Sequence, residues 1–212
     1  MQIERIRAQI EEGKETERRT GSLRRAVVDL VTRDGGRISD RDVTRIVSFV
    51  TRYIEHAPVL MAAIEESATR NGTLEYIQPV LDATAQYFHA ADDIIPDHFG
   101  LVGLLDDSYL AHSLMEKISD RYKLQSGRSL VPVEAHGLNQ FVRRLIGVPF
   151  VEVLDAQVSA TMDSLSIDTD INRFLAAFSE MDLVSTPDPL WGNLAASDVS
   201  FLRIMATGRS VT

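Results

Sequence analysis

The stretch Ala90-Ala91-Asp92-Asp93-Ile94-Ile95-Pro96-Asp97-His98-Phe99-Gly100-Leu101-Val102-Gly103-Leu104-Leu105-Asp106-Asp107 decides the fold. Five of its residues are aspartates, none is Lys or Arg, and the rest is largely apolar. Pro96 has no N–H and pushes Ile95 out of the α region, so a preceding helix is expected to end near Asp92–Ile95. Gly100 and Gly103 let the chain turn tightly. A second helix is expected to begin near Asp106 and run to Tyr122, folding back on the first. His89 and Asp93 are four apart and share a helical face. Asp97, Asp106 and Asp107 fall at the same end of this helical hairpin.

Three readings of these acids compete. In the first, Asp97 and Asp106 cap helix starts, each accepting hydrogen bonds from free backbone N–H groups, worth about 1 kcal/mol apiece. Asp107 then sits at the positive end of the helix dipole. This explains Asp, Pro and Gly together and needs no ligand. In the second, Asp93, Asp97, Asp106 and Asp107, with His89, hold a divalent metal. Carboxylates alone suit Mg²⁺ or Ca²⁺, and an added imidazole suits Mn, Fe or Zn. In the third, the acidic loop is exposed and recognised by a partner.

The pentads Asp93-Ile94-Ile95-Pro96-Asp97 and Gly103-Leu104-Leu105-Asp106-Asp107 resemble the motif of the YkvA-like bacterial family, a domain of unknown function. That family approximates Pro-x-Asp-Leu-Ile-Pro-Asp, a short apolar turn with glycine, then Leu-Asp-Asp. The similarity spans roughly Leu81 to Ile118. Ala91 departs from it, standing where the family usually has proline. Many relatives look membrane-associated here, whereas this stretch is more hydrophilic. The resemblance implies a helical hairpin and no known reaction.

Outward from the hairpin, the chain reads as helices joined by short loops. Residues 2–18 carry Ile3, Ile6 and Ile10 at helical spacing in an otherwise charged sequence, a seam too thin for a core helix and suited to docking on a partner or on the body. Ser22 is placed to cap a helix over 23–33, which Gly35-Gly36 ends. Ser39 followed by Asp42 resembles a capping box. Beyond it Val43, Ile46, Val47, Val50 and Ile54 form one face, and Arg41, Arg45 and Arg52 another. Pro58 is expected to start a new helix, running through Met61 and Ile64 to the stop at Asn71-Gly72. Leu74 to about Ala91 is the next, with Pro79 delaying its start or kinking it. Gln125 to Arg128 reads as a loop. Further helices are expected at about 133–146, 149–164, 169–181 and 195–207. No strict alternation marks a strand, and no repeat is present.

Composition narrows the function classes. The chain has 212 residues, 44% of them apolar, enough for a real core. With no cysteine, it has no disulfide, thiolate metal site or cysteine nucleophile, which fits a reducing cytoplasm. No signal peptide or apolar run of membrane-spanning length is expected. The net charge is −9, divided as +2 over residues 1–56 and −11 over the remainder. Such a body repels nucleic acid and anionic lipid at long range. If either is a partner, the N-terminal segment must make the contact.

Smaller motifs are accounted for by ordinary structure. Asp168-Thr169-Asp170 begins like a Ca²⁺ loop but lacks Gly at the sixth position and Glu at the twelfth, leaving helix capping. His56, His98, His112 and His136 show no metal-ligand spacing. Trp191, after Pro187 and Pro189, reads as a C-terminal anchor.

The sequence therefore predicts an all-α multi-helix bundle with a central acidic hairpin. Residues 1–20 form an N-terminal amphipathic helix and 21–212 a single helical domain containing the hairpin (81–118). The expected function is a non-enzymatic, cytoplasmic protein–protein interaction module. It docks a protein partner, or its own copy, through the N-terminal helix. No cofactor is expected on this reading, and the charge argues against nucleic acid. The alternative is a metal-dependent enzyme, such as a hydrolase, built on the hairpin aspartates. No nucleophile or general base stands out beyond those carboxylates, so that alternative lacks a mechanism.

Overall fold

The computed structural model describes residues 2–33, 35–89, 95, 97–127 and 134–165. Asp93, the helices expected at 169–181 and 195–207, the Asp168 capping site and Trp191 lie outside the described residues, as do the side chains of Asp97 and His98. The fold is all-α. In chain order the elements are α1 (Gln2–Thr20), α2 (Ser22–Arg33), α3 (Asp40–Arg70), α4 (Leu74–Tyr87), a 3₁₀ turn (Asp97–Val102), α5 (Leu105–Ser126), α6 (Glu134–Ile146) and α7 (Phe150–Ser164). Among the described residues no helix is long and apolar enough to cross a membrane.

Several boundaries fall where local chemistry puts them. Ser39 is the N-cap of α3, its hydroxyl oxygen accepting from the Asp42 N–H at 3.2 Å. The α2 helix closes through Gly36 N–H to Val31 C=O at 2.9 Å, with Gly35 at φ 75°. The α3 helix closes in the same way through Thr73 N–H to Ala68 C=O at 2.8 Å. One cap comes from a different helix. Glu17, in α1, accepts the Leu23 and Arg24 N–H groups at 2.8 and 3.2 Å, covering the open start of α2.

Pro58 does not start a helix. It lies inside α3, which runs unbroken for 31 residues, about 46 Å at 1.5 Å per residue. An interior proline costs about 3 kcal/mol. Here the apolar stripe continues straight through it: Tyr53, Ile54, Ala57, Leu60, Met61, Ile64 and Ala68 are all buried. Burial on that scale outweighs the lost hydrogen bond. Pro79 likewise lies within α4. That helix ends earlier than expected, at Tyr87, where His89 N–H turns back to Gln86 C=O at 3.1 Å. At its other end the hairpin reaches further. The α5 helix takes in Gln125 and Ser126 and stops only at Gly127, in the left-handed conformation.

The core is continuous around α5, which packs against α3, α4, α6 and α7. The α1 seam joins it. Ile6 and Ile10 are completely buried, so the segment that looked too thin for a core helix is one. Its third buried member is Gly13, which hydrophobic counting passes over. A Cβ on Gly13 would lie 2.9 Å from Leu104 Cδ1, and one on Gly100 would lie 3.0 Å from the Gly13 carbonyl oxygen and 2.9 Å from Thr16 Cγ2. Two glycines therefore let α1 and the 3₁₀ turn meet backbone to backbone.

Candidate functional site

The hairpin is held from both sides. On the α4 side, Phe88 is buried and its carbonyl accepts from Gln9 Nε2 at 3.0 Å, tying the end of α4 to α1. His89 Nδ1 lies 3.0 Å from the same carbonyl; since a carbonyl only accepts, Nδ1 carries the proton. On the α5 side, Asp106 and Asp107 occupy the first helical turn and are both buried. Asp106 is not the cap expected of it. The N-cap position belongs to Leu104, which makes no side-chain cap bond. Asp106 Oδ2 instead reaches back across the turn and accepts the Ile95 N–H at 3.0 Å. The residue before the proline is thereby clamped to the start of α5.

Of the five residues considered as metal ligands, the structure places Asp106 and Asp107 side by side at the start of α5 and His89 just past α4. Asp93 and the side chain of Asp97 lie outside the described residues. Among the described residues no group of three or more His, Asp or Glu is arranged to hold a metal ion.

A second polar system lies along α5, and its members were not singled out by spacing. Tyr53, fully buried in α3, donates its hydroxyl to Asn139 Oδ1 of α6 at 2.7 Å. Asn139 Nδ2 donates to Glu116 Oε2 of α5 at 2.7 Å, and Glu116 Oε1 meets His136 Nδ1 at 2.5 Å near the surface. His112 Nε2 donates to the Tyr53 carbonyl at 2.9 Å, in the stretch of α3 just before Pro58. The His112 ring packs 4.1 Å from the Tyr53 ring and stacks on His56 with centroids 5.2 Å apart. Burial, then repulsion from an ionised Tyr109 and from Glu116, hold the Tyr53 phenol well above its ordinary value, so it stays a neutral donor.

Further along, Tyr109 donates to Asp155 Oδ1 of α7 at 2.6 Å and accepts from Arg143 Nη1 of α6 at 2.8 Å. Arg143 also pairs with Asp155. Burial and the Asp155 carboxylate push the Tyr109 phenol up to about 12. Burial works to lower the Arg143 pKa, but its bonds to Asp155 and Tyr109 outweigh this and leave it raised. Tyr87 adds a fourth tie, donating to Thr161 at 2.8 Å and joining α4 to α7. The chemistry of this seam is cross-bracing of helices. The available sequence signal was polar residues on a buried face: Tyr109, His112, Ser113 and Glu116 follow helical spacing along α5.

The arginines of the α3 stripe differ in their surroundings. Arg41 is exposed, Arg45 pairs with Asp42 at 3.6 Å, and the Nε of Arg52 is enclosed. A groove of about 180 Å³ opens between α1, α3 and α4, lined by Gln2, Ile3, Met61, Glu65, Gln78 and Leu81. Small-molecule sites start at about 300 Å³. No family model, curated protein or solved structure matches the chain.

Proposed function

We propose that the chain is a cytoplasmic, non-enzymatic helical module that docks another protein or a second copy of itself. The observation that carries this is the apolar turn between α6 and α7. Val148 is 73% exposed, Phe150 50% and Val153 57%. Phe150 and Val153 stand three apart on α7 and so share its outer face. A cluster of large apolar side chains turned outward marks a contact surface more often than a catalytic one. The N-terminal helix takes part differently from the sequence expectation. Ile6 and Ile10 are buried within the chain and Ile3 is partly buried, so what it presents outward is mainly its charged face. We further read the hairpin as YkvA-like. The order Pro96, Gly100, Gly103 and then Asp106-Asp107 opening a helix supports this.

The test compares wild type with Phe150→Ser/Val153→Ser. Sedimentation of the purified chains reads self-association, and hydrogen exchange in native extract reads a partner. A concentration-dependent dimer, or protection of residues 148–153 in extract, that disappears in the variant is the expected result. Monomers at every concentration with no protection in extract would sink the reading.

A further inference from the structure

One end of this acidic molecule is basic. Between Arg18 and Arg45 the sequence has eight arginines, four aspartates and no aromatic residue. The fold gathers the last turn of α1, the first turn of α2 and the first turn of α3 at one place. Arg25 bonds the Thr20 carbonyl across the α1–α2 joint. Its neighbour Arg24 reaches Asp40 at 2.8 Å and Thr44 at 3.3 Å on α3. Asp40 and Asp42 are engaged by Arg24 and Arg45. Four further arginines lie here. Arg19 meets only the Thr16 hydroxyl, Arg25 only neutral oxygens, and Arg37 and Arg41 are exposed. Among the described residues none of these four forms an ion pair.

We propose that this basic end docks an acidic segment of a protein partner. Guanidinium forks match carboxylates in bidentate geometry, and their charge persists at any physiological pH. A short acidic segment feels mainly the local field, because charges are screened beyond about 8 Å at physiological ionic strength. A long polyphosphate or an anionic bilayer also meets the rest of the molecule, and that rest is strongly negative. Nor does the 18–45 region offer an aromatic ring on which a base can stack. The proposal names the partner chemistry for an interaction module. It stands on different residues from the apolar turn, so the two can fail separately.

The experiment titrates the full chain with a labelled oligoglutamate peptide at low and at physiological salt. An oligothymidylate of equal charge serves as competitor. Saturable binding that weakens roughly tenfold over that salt range is expected. It should vanish in Arg25→Gln/Arg37→Gln/Arg41→Gln and persist in Arg70→Gln, at the far end of α3. Exposed arginines are replaced, so helicity should be unchanged; if the triple variant misfolds, the single variants Arg37→Gln and Arg41→Gln provide the reading. Absence of saturable binding, equal binding by the variants, or tighter binding of oligothymidylate overturns the proposal. So does a dimer of the chain itself that the arginine variants dissolve, since a second copy would then be the occupant.

Discussion

Two regions hold the bundle together by opposite means. Where α1 meets the 3₁₀ turn, contact depends on side chains being absent: Gly13 and Gly100 let the two backbones touch. Where α5 meets α3, α6 and α7, contact depends on polar side chains being present and aimed, from Tyr53 through Asn139 to Glu116, and from Tyr109 to Arg143 and Asp155. The first kind of interface fails by overpacking. The second fails by leaving a buried group without its partner. They should therefore respond differently to the same size of change.

The largest effect is expected at Gly100. Alanine there must adopt φ 71° and place its Cβ about 3 Å from Thr16 and the Gly13 carbonyl, so urea denaturation should show a loss of about 3 kcal/mol or more. Removing one atom from the polar seam should cost less. Tyr53→Phe leaves the Asn139 carbonyl oxygen without its donor and should lower stability by about 1–3 kcal/mol with little change in structure. Alkaline titration probes the same seam. The folded-state pKa values of Tyr53, Tyr87 and Tyr109 are all raised. Their contribution is complete below the unfolded tyrosine value near 10 and declines as pH rises toward the folded value, about 12 for Tyr109. Tyr109→Phe should flatten that alkaline loss, read by denaturation midpoints across the range. The smallest effect is expected at Gly13→Ala. Leu104 Cδ1, which the new methyl meets at 2.9 Å, is the end of a flexible side chain, and alanine gains about 1 kcal/mol of helix propensity. A net change within about 1 kcal/mol would sharpen the contrast with Gly100, whose clash is with backbone.

This asymmetry also explains what could be read in the sequence. Caps and stops are local, and Ser39, Gly35-Gly36 and Asn71-Gly72 fall where their chemistry puts them. The starts of α6 and α7 fall within a residue of their expected places, and the class is all-helical as expected. Pro58 stands inside α3 rather than at a helix start because its local backbone cost is set against burial that only the tertiary fold reveals. The α1 seam is wider than its isoleucines suggest because Gly13, at a close contact, carries no hydrophobic signal. Asp106 looked like a cap because its true acceptor role, toward Ile95 eleven residues earlier, exists only once the hairpin closes. The Tyr53 and Tyr109 networks join helices far apart in sequence, so the polar face of α5 shows in its spacing but its partners on α3, α6 and α7 do not.

Native-state hydrogen exchange on the full chain is the most direct test that the N-terminal helix belongs to the core rather than hanging free for a partner. Amides of α1 from Ile10 to Thr16 should exchange only through global unfolding, with the same free energy and denaturant dependence as those of α3 around Tyr53 and Ala57. Exchange of α1 through a separate opening of much lower free energy, while α3 remains protected, would contradict it.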